Sequence, residues 1–340
     1  MYREFELIER ILEVFDQPEG IELGIGDDCA VLAPGRFDLV TTDTMVEGVH
    51  FRRDWSSAAD IGWKALSVSL SDVAAMGGAP GPFFLNLSLG PDVDEAFIDA
   101  LLAGMKAACD RCLEAGFSVS TAGGDVTATD GPTVVSTTLM GQSAPEGAIL
   151  RSGASPGDRI VLLGPLGLAE AAVDLLAGRL FAGRVAADPA GYPALVEAHR
   201  RPLPRVSEGA LLGREAIPSA LIDTSDGFGQ DLGHILERSA VGARVDVHCM
   251  PRHDELDALC EQLGADPLRY MISGGEDFQL CMTVPQTRMA GLRELARREQ
   301  FEIFEVGEIR PAAEGLTMVG PDGAPLDVDT PGYEHFRADG

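Results

Sequence analysis

Strand-like and helix-like patterns alternate along the whole chain, and this alternation restricts the fold to mixed α/β architectures. The segments PFFLNLSLG (82–90), PTVVSTTLMG (132–141) and FQLCMTV (278–284) have the β-branched and aromatic content of strands. Residues 58–76 and 94–115 repeat apolar side chains at helical spacing, and glycine follows each run. We therefore predict mixed α and β structure in both halves of the chain.

A turn rich in Gly, Ser and Pro, RSGASPGD at residues 151–158, separates two parts of this pattern. A chain of 340 residues, 45% of them hydrophobic, is long enough for two cores. We place the domain boundary at this turn, with an N-terminal domain of residues 1–150 and a C-terminal α/β domain of residues 151–340. The first domain clusters its strands, and the second alternates strands and helices more regularly.

The charge of the chain excludes several partners. There are 54 Asp and Glu against 26 Lys and Arg, so the net charge is −28, and the lysines are Lys64 and Lys106 alone. Such a surface repels nucleic acid and anionic membranes, so we expect neither as a partner. A phosphate-bearing ligand would need a local cation to bind to this protein.

Other sequence features predict a cytoplasmic protein. No run of about 18 apolar residues indicates a membrane span. The segment MYREFELIERILEVF mixes acids among its apolar residues, unlike a signal peptide. We expect the six cysteines to be free thiols, with Cys109 and Cys112 buried on a helix, because no second pair has the spacing of a zinc site.

Five short stretches place aspartate beside glycine, serine or threonine: GIGDD (24–28), TTDT (41–44), SD (71–72), GGD (123–125) and DTSDG (223–227). We interpret them as loops, three of which follow strand-like runs, where functional residues often lie. Each one alone fits ordinary turn or helix-capping chemistry. Five together, in a chain without a P-loop, a G-x-S-x-G elbow or an H-E-x-x-H pair, indicate a shared site.

Carboxylate and hydroxyl oxygens are the ligands that Mg²⁺ prefers. Without a cation, two carboxylates about 4 Å apart repel by roughly 4 kcal/mol at an effective dielectric of about 20. Mg²⁺ between them reverses the sign, and phosphate oxygens can take its open positions. We therefore predict a site that binds a triphosphate through Mg²⁺ and transfers a phosphoryl group without a covalent nucleophile.

Eight motifs, in order, resemble the thiamine-monophosphate kinase family, which belongs to the ATP-binding superfamily named for aminoimidazole ribonucleotide synthetase. They are GIGDDCAVL, TTDTMVEGVHF, LSDVAAMGG, GGDVT, RSGASPGD, DTSDGFGQDLGHI, SGGEDFQL and GYEHF, spread over almost the whole chain. The resemblance implies a homodimer whose N-terminal sheets pair into a barrel. It also implies direct in-line transfer from ATP to thiamine monophosphate, giving ADP and thiamine diphosphate.

The resemblance further implies roles for individual residues. The implied Mg²⁺ ligands are Asp28, Thr41, Thr42, Asp43, Asp72, Asp125, Asp223 and Asp226. The implied ATP contacts are Gly124, Asp125, Arg151 and Ser225, and the implied contacts to thiamine monophosphate are His50, Glu276 and Tyr333. Asp27, Thr44 and Asp277 flank matched positions as further candidates, and no adenine contact is predicted.

Sister enzymes of the superfamily are one alternative, since aminoimidazole ribonucleotide, formylglycinamidine and selenophosphate synthetases and the hydrogenase-maturation dehydratase would use ATP on a similar fold. Selenophosphate synthetase needs a reactive Cys or selenocysteine and a Lys near the start, whereas here the first are Cys29 and Lys64. The hydrogenase protein works through a terminal Cys, whereas the last thiol here is Cys281.

A protein that binds divalent ions without catalysis is an alternative of another class. Its acidic stretches would only buffer metal, although EF-hand spacing is absent. This interpretation leaves His50, Glu276 and Tyr333 without a common role.

Overall fold

The computed structural model describes residues 13–14, 21–23, 31–32, 35–178 and 187–326. Asp28 and most of its flanking motif lie outside these residues, as do Tyr333 and the motif GYEHF. Of the helix predicted near the N-terminus only Glu13 and Val14 are described, both helical. The roles of Asp28 and Tyr333 therefore stay predictions.

The N-terminal unit contains a four-stranded sheet. Its strands are β3 (Leu39–Val46), β4 (Ala79–Leu89), β5 (Thr121–Ala128) and β6 (Val134–Gln142), in the order β3-β6-β4-β5. Two short strands that precede them, β1 (Ile21–Leu23) and β2 (Val31–Leu32), pair antiparallel with each other. The strands predicted at 82–90 and 132–141 are confirmed as β4 and β6.

Two long helices, α1 (Ala58–Ala75) and α2 (Glu95–Glu114), complete this unit and confirm the predicted ones. Glycine lets them approach closely, because a Cβ at Gly62 would lie 1.9 Å from the carbonyl oxygen of Leu101. Leu66, Leu70, Leu102 and Met105 fill the core that they share with the sheet. Cys109 and Cys112 are free, buried thiols on α2, as predicted. None of the described helices is long and apolar enough to cross a membrane.

The C-terminal unit is built on a six-stranded sheet. Its strands are β7 (Arg159–Leu162), β8 (Ala220–Asp223), β9 (Val241–Asp246), β10 (Leu280–Val284), β11 (Phe304–Pro311) and β12 (Leu316–Val319). Their order is β12-β9-β11-β7-β10-β8, with β12 and β9 parallel and the other described pairs antiparallel.

Seven helices are described around this sheet. They are α3 (Leu168–Leu176), α4 (Pro193–Arg200), α5 (Val206–Arg214), α6 (Phe228–Ser239), α7 (Asp254–Leu263), α8 (Pro267–Ser273) and α9 (Met289–Glu299). The fold is therefore two α/β units, as predicted, and the predicted boundary lies between β6 and β7.

The two units nevertheless share helices across that boundary. Helix α5 belongs to the C-terminal half but packs on α1, and its Val206 joins the N-terminal core. A Cβ at Gly209 would lie 2.4 Å from the carbonyl oxygen of Ala74, so the helix backbones touch. This contact fixes α1 against the C-terminal unit, and α1 carries acidic residues of the predicted site.

Three of the five acidic stretches are not loops, and that part of the sequence interpretation is wrong. Residues 41–44 lie inside β3, residues 123–125 lie inside β5, and residues 71–72 lie inside α1. Gly, Thr and Asp signal turns by local propensity, but strand pairing and helix packing override that preference here. DTSDG is a loop, which begins at Asp223, the last residue of β8, and leads to α6.

Candidate active site

A cleft of about 1400 Å³ lies between the N-terminal sheet and the C-terminal unit. The predicted site residues that line it are Thr42, Asp43, His50, Ser225, Asp226 and Glu276. They come from β3, from the segment after β3 and from the loops that follow β8 and α8. The fold therefore brings predicted residues from both halves of the sequence to one opening.

Strand β3 and helix α1 bring together the first acids of the cleft. Thr41 and Asp43 share one face of β3, because side chains two residues apart in a strand point the same way. The Thr41 hydroxyl donates a hydrogen bond to Asp72, and the Ser69 hydroxyl donates to Asp43 at 2.7 Å. Asp72 lies in the last turn of α1, where the helix dipole disfavours an acid, so helix capping does not explain it.

Asp223 adds a carboxylate from the C-terminal unit. Its side chain is 2% exposed, and it accepts a hydrogen bond from the Ser71 hydroxyl at 2.6 Å. Burial and the charge of Asp72 raise the pKa of Asp223 to about 7, and the same two causes raise the pKa of Asp43 to about 6. We call Asp43, Asp72 and Asp223 the acid cluster.

Positive charge near the acid cluster comes from Arg151. Burial raises the pKa of Asp72, while its hydroxyl hydrogen bond and the charge of Arg151 oppose that rise. Arg151 also opposes the rise at Asp223. One exposed arginine thus only partly offsets three neighbouring carboxylates, and the acid cluster is electrostatically suited to bind further cations.

Asp231, on α6, fixes the loop that follows β8. Its Oδ2 atom accepts hydrogen bonds from the backbone N–H groups of Ser225, Asp226 and Gly227 at 3.1, 3.3 and 3.1 Å. Burial and the charges of Asp223 and Asp226 raise the pKa of Asp231 to about 8. Sequence analysis missed this residue, although an acid in the first helical turn after DTSDG was a usable signal.

Thr42 points away from the acid cluster. Its hydroxyl accepts a hydrogen bond from Thr138 at 3.1 Å on the opposite face of the sheet. The predicted Thr42 contact to Mg²⁺ would therefore have to use the main chain rather than the hydroxyl.

Gly124 and Asp125 are also distant from the acid cluster within one chain. The strand registers align Asp43 with Thr137, Leu85 and Gly124 in one row across the sheet. Asp43 and Gly124 are therefore separated by three strand spacings, or about 14 Å. Asp125 follows on the other face of the sheet. A Cβ at Gly124 would lie 1.8 Å from the Leu85 carbonyl oxygen, so strand packing requires this glycine whether or not a ligand binds.

Glu276 is contacted by two residues that sequence analysis missed. Lys64 Nζ donates to its Oε2 atom at 2.8 Å, and His199 Nδ1 lies 3.4 Å from the same atom. Burial alone would raise the pKa of Glu276, but Lys64 and His199 outweigh burial and lower it to about 2. Lys64 lies three residues after Ile61, on the apolar face of the predicted helix. A lysine on that face could have indicated a buried acidic partner.

The loops after β8 and α8 touch through their backbones. The Glu276 N–H donates to the Ser225 carbonyl at 2.8 Å, and the Phe278 N–H donates to the Thr224 carbonyl at 2.9 Å. A Cβ at Gly275 would lie 2.6 Å from the Ser225 carbonyl oxygen. Gly275 therefore allows the two loops to approach each other closely. The next residue, Glu276, has a positive φ of 65°.

Two further rings, His50 and Trp55, line the cleft. His50 accepts a hydrogen bond at Nδ1 from the backbone N–H of Val46 at 3.1 Å, which leaves Nε2 as the protonated nitrogen of a neutral ring. Trp55 also lines the cleft, with its ring centroid 6.4 Å from that of His199. Sequence analysis did not identify Trp55 as an aromatic residue that lines the cleft.

The oxygen donors of the acid cluster fit Mg²⁺. They are carboxylates and hydroxyls, and their mutual repulsion is what a divalent ion removes. Across the described ranges, no three His, Cys, Asp or Glu side chains are arranged to hold a metal ion. In proteins Mg²⁺ usually takes only one or two carboxylates and completes its shell with phosphates and water.

Family comparisons agree with the two-unit fold. Residues 26–143 match the N-terminal domain of AIR synthase related proteins, and residues 155–318 match their C-terminal domain. Thiamine-monophosphate kinase of Escherichia coli K12 is 38% identical over 336 residues, which cover 98% of each chain.

Solved structures agree as well. The crystal structure of thiamine-monophosphate kinase from Stenotrophomonas maltophilia K279a has a TM-score of 0.79 and 38% identity, covering 94% of this chain and 96% of that one. A structure of AaThiL complexed with AMPPCP and TMP has a TM-score of 0.73 and 30% identity, covering 87% of this chain and 86% of that one.

Proposed function

Since this chain belongs to the thiamine-monophosphate kinase family of AIR synthase related proteins, we propose that it uses ATP to phosphorylate thiamine monophosphate. The observation that carries the proposal is the acid cluster beside a cleft that also contains His50 and Glu276. The cluster suits the triphosphate side of the reaction, and the other two residues suit an organic substrate. A protein that merely buffers metal would not need His50 and Glu276 beside the acid cluster.

In the proposed reaction, a phosphate oxygen of thiamine monophosphate forms a bond to the γ-phosphorus of ATP. The bond from that phosphorus to the bridging oxygen breaks, and ADP leaves with the electron pair. No side chain becomes phosphorylated, because positioning and charge neutralisation supply most of the catalysis in such transfers. The chain's contribution is to hold both substrates in line across the cleft.

Asp43, Asp72, Asp223 and Asp226, with the Thr41 hydroxyl, would hold Mg²⁺, and Asp28 would join them. Mg²⁺ bound there supplies neutralisation of the phosphate charge. Ser225 lies at the cleft on a loop fixed by Asp231, where its hydroxyl can donate to a phosphate oxygen. Arg151 would approach the same phosphates, since its charge already reaches Asp72 and Asp223.

Direct assay of the product tests the proposal. Purified protein with ATP and Mg²⁺ should convert thiamine monophosphate to thiamine diphosphate, with one ADP formed per product. Aminoimidazole ribonucleotide precursors, formylglycinamide ribonucleotide with glutamine, and selenide should give no product. Production of selenophosphate or a ribonucleotide product, with thiamine monophosphate unchanged, would replace this proposal by a sister activity.

A homodimer formed through the N-terminal sheets would bring the distant Asp125 to the site. Within one chain Asp125 is too far from Asp43 to share an ion, so we propose that a second copy supplies it. Mixing the inactive variants D72N and D125N would then restore about a quarter of wild-type activity, since half the dimers are mixed and one of their two sites is intact. Absence of any recovery after subunit exchange would place Asp125 outside a shared site.

A further inference from the structure

A buried charge cluster joins the two units beside the cleft, away from the acid cluster. Lys64, in the middle of α1, is 3% exposed and contacts Glu276 at 2.8 Å and the backbone carbonyl of His50 at 3.4 Å. His199, near the end of α4, is also 3% exposed, and its Nδ1 atom lies 3.4 Å from Glu276 Oε2. We call Lys64, His199 and Glu276 the clamp.

The charges within the clamp cancel. A buried lysine is costly unless an acid compensates it, and Glu276 does so here. Burial and the charge of Lys64 lower the pKa of His199, so its imidazole is neutral at neutral pH. The clamp thus has one positive and one negative charge, and Glu276 is not an isolated negative charge at the cleft.

The clamp also orients the carboxylate. Both Lys64 and His199 approach Oε2 of Glu276, and among the described residues Oε1 accepts no hydrogen bond. The Glu276 side chain is 30% exposed and lines the cleft. One oxygen is therefore engaged by protein, while the other remains as an acceptor for a ligand.

We propose that Lys64 and His199 are positioning residues that make Glu276 an oriented hydrogen-bond acceptor for the amino group of the substrate's pyrimidine. Glu276 would then recognise a hydrogen-bond donor rather than serve as the counter-ion of the thiazolium ring. This inference rests on the proposed function, because it identifies the part of thiamine monophosphate that the site recognises. The competing explanation is an ion pair that only joins the two units.

Two substrate analogues test the chemistry of recognition by calorimetric binding. One is a monophosphate with an uncharged ring in place of the thiazolium, and the other lacks the pyrimidine amino group. Loss of the amino group should weaken binding by about 10-fold or more, as expected for a hydrogen bond to a charged group, and loss of the ring charge by less than about 3-fold. The reverse order would overturn the proposal.

Variants of the two lysines test the positioning role. K64M should raise the Kd for thiamine monophosphate about 10-fold and leave the Kd for ADP unchanged, because only Glu276 loses its orientation. K106M is the matched control, since Lys106 pairs with Asp110 on the surface of the same unit. It should change neither constant.

The double variant K64M/E276Q separates positioning from stability. Removing both charges should restore the melting temperature lost in K64M, because no unpaired charge stays buried. The Kd for thiamine monophosphate should stay raised; its return to the wild-type value would show that the pair is only structural. Since binding is measured directly, a wild type that binds thiamine monophosphate without phosphorylating it would overturn the proposed reaction but not this inference.

Discussion

The acid cluster and the clamp both place partly or fully buried carboxylates beside one cleft, yet the pKa values of these carboxylates move in opposite directions. Asp43 and Asp223 rise to about 6 and 7, because burial and a neighbouring carboxylate act together. Glu276 falls to about 2, because Lys64 and His199 outweigh burial. The difference lies in the neighbours rather than in burial itself.

This contrast indicates two kinds of site chemistry. Carboxylates that repel one another in the folded chain favour binding of an external cation, which is what phosphate binding on a surface of charge −28 requires. A carboxylate that is already paired with a lysine does not need an external cation. It contributes an oriented hydrogen-bond acceptor instead. We expect the acid cluster to control turnover and the clamp to control substrate affinity.

The largest effect should come from D72N, which removes the central charge of the acid cluster. We expect kcat to fall about 100-fold or more, as for the loss of other charge-stabilising groups, with little loss of stability because repulsion is relieved. Steady-state kinetics and thermal denaturation measure the two quantities. Equal losses of activity and stability would show that Asp72 is mainly structural.

A matched pair of substitutions, D28N and D27N, extends the acid cluster to residues that the structure does not describe. The family resemblance assigns Asp28 to Mg²⁺, whereas Asp27 only flanks it. D28N should lower kcat/KM about 10-fold or more and raise the Mg²⁺ requirement, and D27N should change both by less than about 3-fold. Equal effects of D28N and D27N would contradict the assignment of Asp28, rather than Asp27, to Mg²⁺.

Among the kinetic constants, E276Q should change the affinity for the substrate rather than the rate of turnover. We expect the KM for thiamine monophosphate to rise about 10-fold, with kcat and the KM for ATP within about 3-fold of wild type, since one hydrogen bond to a charged group is weakened. E305Q, at a surface acid paired with Arg293, is the control. An unchanged dependence on thiamine monophosphate would exclude Glu276 from the site.

The pH dependence of stability without Mg²⁺ tests the same comparison without any assay of activity. Asp43 and Asp223 keep protons in the folded state that the unfolded chain releases near the ordinary pKa of 3.8. The folded state thus binds more protons between pH 4 and 7, and the free energy of unfolding should fall as the pH rises through this range.

Urea denaturation between pH 4.5 and 7.5 measures this slope. D72N should make the slope shallower by removing one charge that raises both pKa values, while burial and Asp231, whose pKa is raised to about 8, keep part of it. Mg²⁺ should oppose the loss at the upper end. Glu276 contributes no slope there, because its pKa is lowered from 4.5 and its contribution is lost only as the pH falls toward about 2. A slope that D72N leaves unchanged would place its origin outside the acid cluster.

The sequence predicted more of the fold than of the side-chain geometry. The long helices and several strands were recognisable because periodic apolar residues report which face is buried. Residues 41–44 and 123–125 were mistaken for loops because their composition resembles turns. Their position inside β3 and β5 changes the site, since alternate residues of a strand face opposite ways and Thr42 is thereby separated from Asp43.

By itself the sequence determined two α/β units, an acidic surface and a set of aspartates suited to Mg²⁺, because composition, spacing and motif order are local properties. Only the tertiary structure decided which aspartates meet, and it brought Asp72 to Asp223 while leaving Asp125 three strands away. It also paired Lys64 with Glu276, 212 residues apart in the chain. The physical reason is that charge interactions act across contacts made by packing, which no local pattern encodes.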